Sequence, residues 1–301
     1  MIERIVVPLD GSATAETILP QVRRILRRAG SEITLVRAIV PPLAEDAMTM
    51  TAAEARLDQA RNYVSGVERR LKETGVRVKS VTRVGAAAGV ILDVAREERA
   101  SLIAMATHGE TGLKRLLLGS VTENVLRKSP VPVLVVRPFH SYTIVPPGSP
   151  EQRPIRNLLL PMDETDGSLS ALGPAGELAA LFDSRVLLLR VLEMDKKGTD
   201  LAQARAGAEH HLREIARPLE GQGIETVFRV EQGDPAKVIL EVCRATEVDL
   251  VAMATHGRSR ISRVVSGSVT EHVLRESTVP LLVVKAAKRA RQRSVSASGK
   301  R

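Results

Sequence analysis

The chain repeats itself. Met105-Ala-Thr-His-Gly109 recurs 148 residues later as Met253-Ala-Thr-His-Gly257. Gly119-Ser-Val-Thr-Glu123 recurs at the same offset as Gly267-Ser-Val-Thr-Glu271, and Val131-Pro-Val-Leu-Val-Val136 as Val279-Pro-Leu-Leu-Val-Val284. Upstream, Val7-Pro-Leu-Asp10 pairs with Leu160-Pro-Met-Asp163 at an offset of 153, so the second copy is five residues shorter in its middle. A period of about 150 residues is too long for a solenoid repeat and suits a duplicated domain.

Between the copies, Arg137 to Pro154 holds prolines at 138, 146, 147, 150 and 154. Proline removes a backbone donor and fixes φ, so the stretch reads as a stiff, extended linker. The expected organisation is a first domain over 1–137, a linker over 138–153, a second domain over 154–286 and a basic, disordered tail over 287–301.

Within the first copy, β-branched apolar runs at 4–9, 33–40, 77–84, 102–106 and 131–136 predict strands. Helical periodicity predicts helices over 13–28, 51–74, 88–98 and 121–128. The second copy repeats the order, with strands near 156–161, 186–192, 224–230, 249–254 and 280–284. Alternation of this kind builds a parallel sheet covered on both faces, and runs such as Leu158-Leu-Leu160 are apolar throughout, as strands buried on both sides must be. The expected fold is α/β: two tandem, doubly wound, Rossmann-like parallel sheets of five strands each, with helices on both faces.

Composition narrows the function. Three Phe, two Tyr and no Trp in 301 residues leave too few ring faces for a single-stranded nucleic-acid platform. The formal charge of +9 invites a nucleic-acid partner, yet six of those charges lie after residue 285 and only +3 remains on the rest. Nucleic acid thus has only the tail to recommend it. Cys243 is alone and fits a reducing compartment. The first residues carry Glu3 and too short an apolar run for a signal peptide, and no stretch approaches a membrane span. A cytoplasmic location without membrane contact is expected.

In open α/β sheets, ligands bind beyond the carboxyl ends of the strands, where strand order reverses. The first strands end in Asp10-Gly-Ser12 and Asp163-Glu-Thr165; the fourth end in Ala106-Thr-His-Gly109 and Ala254-Thr-His-Gly257. Each of the latter loops then reaches a Gly-Ser that opens a helix. A helix start offers unused N–H groups to an anion, and glycine allows close approach of the backbone. Gly119, Ser120, Val121 and Thr122 supply such a cradle, which Gly109 would close, while Asp10 suits a ribose hydroxyl or an adenine amino group. A structural alternative stands beside this: Ser120–Glu123 and Ser268–Glu271 match capping boxes, and Asp10 and Asp163 match helix caps.

These motifs resemble the universal stress protein family in its tandem, two-domain form. The family's ATP-binding signature, Gly-x2-Gly-x9-Gly-Ser/Thr, is matched as Ala106-x2-Gly109-x9-Gly119-Ser120 and as Ala254-x2-Gly257-x9-Gly267-Ser268. Alanine replaces the first glycine in both copies, which matters only where that position needs a positive φ or close backbone approach. The resemblance implies that Pro8, Asp10, Ala38 and Met105 line an adenosine end, and that Gly109, Gly119, Ser120, Val121 and Thr122 hold phosphates. In the second copy Pro161, Asp163, Val191 and Met253 take the first role, and Gly257, Gly267, Ser268, Val269 and Thr270 the second. It implies ATP, with ADP or AMP as alternatives, accompanied by Mg or Mn. Glu164 stands where the family carries glycine, and its carboxylate is expected to repel a polyphosphate.

Other signals are weaker. His108 and His256 sit in the candidate loops with no acid or nucleophile at a catalytic spacing, and no catalytic residue is expected. His210-His211 lack the spacing of a metal site, and none is expected. The fifth strands would be sheet edges, which recruit partner strands; the resemblance implies self-association there, within the chain or between two chains. The function expected is that of a nucleotide-dependent regulatory or stress-response protein. The alternatives are a slow ATPase, a self-phosphorylating protein or a nucleotide-free interaction module.

Overall fold

A computed structural model of the chain describes residues 2–29, 31–40, 50–107, 118–137, 154–193, 200–255 and 268–286. The first half holds β1 (Arg4–Pro8), α1 (Ala13–Glu16), α2 (Leu19–Ala29), β2 (Glu32–Ile39), α3 (Met50–Lys72), β3 (Arg77–Val84), α4 (Ala87–Glu97), β4 (Leu102–Ala106), α5 (Ser120–Lys128) and β5 (Val133–Val136). The second half holds β6 (Asn157–Pro161), a 3-10 turn (Ser168–Ala171), α6 (Leu172–Phe182), β7 (Arg185–Leu192), α7 (Leu201–Glu220), β8 (Thr226–Gln232), α8 (Pro235–Ala245), β9 (Leu250–Thr255), α9 (Ser268–Glu276) and β10 (Leu281–Lys285). The segments 138–153 and 287–301, expected as linker and tail, lie outside the described residues.

The strands lie in the order β3-β2-β1-β4-β5-β10-β9-β6-β7-β8. Pairing is parallel throughout each half, and β1 is flanked by β2 on one side and β4 on the other. That is the switch point of a doubly wound sheet, and β6 between β7 and β9 repeats it. The two five-stranded units are joined edge to edge, β5 against β10 antiparallel, with Leu134 opposite Leu282. Because only this joint is antiparallel, the carboxyl ends of the two sets of strands point to opposite ends of one continuous sheet.

Alternation along the strands sorts side chains into two layers. Ile5, Val7, Ile33, Leu35 and Ala104 face one way and pack with Val22 and Ile25 of α2 and Val67 and Leu71 of α3, a layer that runs on through Leu158, Leu178 and Leu212 of the second half. Val6, Val36, Ile103 and Met105 face the other way, onto Ile91 and Val94 of α4 and Val125 of α5, continuing to Leu159, Ile239 and Val273. Aliphatic side chains fill nearly all of both layers, with Phe182 a buried ring in the first.

The helix expected over 13–28 is broken. α1 ends at Glu16 and α2 begins at Leu19. Pro20 has no N–H to donate and its ring would clash with the carbonyl four residues earlier, so one continuous helix is excluded. Thr17 Oγ1 takes up the Thr14 carbonyl at 2.6 Å in the gap. Among the described residues no helix is long and apolar enough to cross a membrane.

Candidate functional site

At the end of β1, Asp10 Oδ1 accepts from the backbone N–H of Ser12 at 3.0 Å and from its hydroxyl at 2.6 Å. Ser12 Oγ in turn accepts from the Ala15 N–H at 3.0 Å. The helix cap is therefore Ser12 and not Asp10; the aspartate organises the loop that presents the cap. Asp163 does the same for Thr165, at 2.9 Å to its N–H and 2.6 Å to its hydroxyl. Gly11 reaches this turn with φ +92°, a conformation that suits glycine, whereas Glu164 takes an ordinary negative φ. The Glu164 carboxylate is met by Arg190 of β7, Oε1 to Nη2 at 2.9 Å. The added charge is thus compensated in place rather than left facing the crevice alone.

At the end of β4, Ala106 is the last strand residue, and Ala254 lies inside β9. Both are buried, and neither has a positive φ. A methyl group is accommodated at both places, so the departure from glycine does not disturb the backbone.

Gly119 is the N-cap of α5, its N–H bonded to the Thr107 carbonyl at 3.1 Å. No side chain caps this helix, which corrects the capping-box alternative: Ser120 is the first helical residue, one place too far along. Ser120 is exposed and Val121 half-buried against the core. Thr122 is buried, and its hydroxyl is shared between the Ala106 and Thr107 carbonyls at 3.3 Å each. Thr270 is buried likewise, its hydroxyl donated to the Ala254 carbonyl at 3.4 Å. Through these hydroxyls both threonines pin a helix start to a strand end. Gly109, Gly257, Gly267 and the two loop histidines lie outside the described residues, as does the Ser268 side chain.

The pieces converge in the second half. A cavity of about 490 Å³ opens at the carboxyl ends of β6, β7 and β9, with Pro161, Asp163, Val191, Met253, Ala254 and Val269 among its lining. Leu189, Arg190 and Glu193 from β7 and its end, Leu201 from the start of α7, and Pro235 and Ile239 from α8 also line it. Arg190 was legible but missed: it interrupts an apolar strand, and Arg37 does the same at the matching place of the first copy. In the first half, Pro8 ends β1 beside Val36, two residues before Ala38, while Met105 is buried next to Ala106. Pro8, Ala38 and Met105 therefore lie towards the carboxyl ends of β1, β2 and β4.

Neighbouring groups are structural. Tyr63 of α3 donates to Glu16 Oε1 at 2.9 Å, and burial together with that carboxylate pushes the phenol far above its ordinary range. Cys243 is buried in α8, and burial raises its thiol to about 12. Among the described residues no three His, Cys, Asp or Glu side chains cluster as a metal site would require.

The model of the universal stress protein family matches this chain twice, over residues 1–137 and 154–285. A universal stress protein of Methanocaldococcus jannaschii is 32% identical over 155 residues, covering 46% of this chain and 96% of its own length. One from Mycolicibacterium smegmatis is 24% identical over 312 residues, covering 93% of this chain and 96% of its own. The crystal structure of a universal stress protein from Archaeoglobus fulgidus superposes with a TM-score of 0.73 at 22% identity, over 96% of this chain and 98% of that one, and shares the fold. With the family model matched in both copies and a doubly wound strand order in each, the chain belongs to the universal stress protein family, two of whose domains it carries in tandem.

Proposed function

We propose that the crevices at the ends of β1/β4 and β6/β9 bind an adenine nucleotide, ATP before ADP or AMP, and that occupancy sets a state of the protein that partners read. The observation that carries this is the cavity of about 490 Å³ at the second switch point, a volume within the usual range of about 300–1,000 Å³ for small-molecule sites. Its wall has the two characters a nucleoside needs. Met253, Val191 and Ile239 are apolar and suit the faces of a base, and Asp163 supplies a carboxylate for a ribose hydroxyl or an exocyclic amine. The start of α5, which no side chain caps, supports a phosphate position in the first half. Magnesium or manganese would arrive with the phosphates and keep several waters.

Domains over 1–137 and 154–286 and a cytoplasmic setting, which suits the buried thiol of Cys243, complete the proposal.

The test is direct. Protein purified without added nucleotide is denatured, and the supernatant is chromatographed for adenine nucleotide; calorimetry with Mg-ATP follows on stripped protein. Released ATP or ADP, or a heat of binding, supports the assignment. Neither would refute it. Turnover of labelled ATP faster than a few per minute would replace the regulatory reading with an enzymatic one.

A further inference from the structure

The joint between the halves has a register with a consequence for partner choice. Leu134 lies opposite Leu282, and these are the same position of the repeat, 148 residues apart. Val133 meets Val283 and Val135 meets Leu281, so the pairing is symmetric about its centre. A symmetric register is what two copies of one domain would also adopt. Backbone hydrogen bonds therefore do not tell a half whether its edge has met the other half or a second copy of itself.

Side chains beside the joint do tell it. Asp249, just before β9, accepts through Oδ2 from the N–H groups of Arg156 at 2.8 Å and Asn157 at 3.0 Å. Ser101 holds the matching place in the first half, and its Oγ accepts from Glu3 at 3.0 Å and Arg4 at 3.2 Å. A serine is sufficient for that local task. What the aspartate adds is charge, and Asp249 Oδ1 lies 3.8 Å from Nη2 of Arg24, on α2 of the other half. The two side chains are 6% and 20% exposed, so solvent screens them weakly. Gln21 steadies the guanidinium, accepting from Nη1 at 2.8 Å.

The repeat puts Glu177 of α6 at the place of Arg24, and α2 touches α6 across the joint. The pseudo-two-fold then fixes what each pairing would bring together. Within the chain, Arg24 meets Asp249, and by the pseudo-two-fold Glu177 would point towards the side of Ser101. Two second halves would set Glu177 against Asp249 twice, a repulsive meeting. Two first halves would set Arg24 against Ser101, which offers no carboxylate.

We propose that Arg24, Asp249 and Glu177 form a charge code by which each half takes the other half, and not a copy of itself, as the partner of its edge strand. Like charges brought together at an interface exclude wrong partners in this way.

The full chain can report on it. With Leu282→Cys, pairing of two second halves brings two identical thiols face to face, whereas the native pairing sets the thiol against Leu134. Chains are refolded together at high concentration under reducing conditions and then oxidised. Leu134→Cys with Leu282→Cys should close an intrachain disulfide and shows that the geometry permits the bond. Leu282→Cys alone should give little linked dimer. Adding Asp249→Ser, which keeps the serine-type backbone contact, or Glu177→Arg, which makes second halves attract, should each raise the linked dimer about fivefold or more. Glu177 is exposed, so its replacement leaves a folded chain in hand even where Asp249→Ser does not. Linked dimer that stays at the starting level with Glu177→Arg overturns the code.

Discussion

A methyl group on Gly119 would lie 2.8 Å from the Thr107 carbonyl oxygen, inside any normal carbon–oxygen contact. The neighbour is backbone at the end of β4 and cannot rotate away, so the glycine is demanded by close approach rather than by φ. Gly119→Ala should cost about 1–3 kcal/mol in denaturant unfolding and weaken nucleotide binding in the first half. Gly207 of α7 has nothing within 4 Å and serves as the control; there alanine should gain about 0.5–1 kcal/mol.

Thr122 and Ser120 separate stability from binding. Thr122→Val keeps the shape but strips the hydroxyl from the Ala106 and Thr107 carbonyls, at a cost of about 1–2 kcal/mol. ATP affinity, read by calorimetry on folded protein, should change by less than about twofold for this substitution. Ser120→Ala should do the reverse, leaving the melting curve in place and lowering ATP affinity about fivefold, the weight of one hydrogen bond.

The Glu164–Arg190 pair should set how the second cavity treats phosphate charge. Glu164 is 75% exposed while Arg190 is 17% exposed and lines the cavity, so the acid is the expendable member. Glu164→Ala should strengthen ATP binding about three- to tenfold and leave adenosine unchanged; Arg190→Ala should weaken ATP by a similar factor. Equal effects on ATP and adenosine would place the pair away from the phosphates.

Cys243 gives the chain an alkaline limit. Its folded thiol titrates near 12, against about 8.5 for an unfolded cysteine. The group's contribution to stability is therefore complete below about pH 8.5 and is lost as pH climbs towards 12, because the unfolded chain deprotonates first. Cys243→Ala should flatten that decline in pH-dependent unfolding. A thiol reagent at pH 8 should label the native chain far more slowly than the denatured one.

Much of this architecture was legible because it is written twice. Short aliphatic runs at matching offsets place the ten described strands to within about two residues, and the Asp10 and Asp163 loops mark the switch points. Local chemistry was less transparent. Pro20 was visible, but the helical periodicity around it concealed the break after Glu16. Thr122 stood in the helix-start cradle by its place in the motif; only the packing of that start against β4 shows that two strand carbonyls also take its hydroxyl. Arg24 and Asp249 fall outside every motif, and no spacing rule could bring α2 of one half to the foot of β9 in the other.

The antiparallel joint of β5 with β10 has a last consequence. It makes the molecule a plate with two ports that face away from each other. A small ligand held at one end of the sheet does not reach the other end. Any communication between the ports must cross the plate itself, from β4 through β5 and β10 to β9, by strain in a stiff sheet rather than by direct touch. Under the proposed function, the tandem chain would offer its two sites to two readers at opposite ends of one sheet.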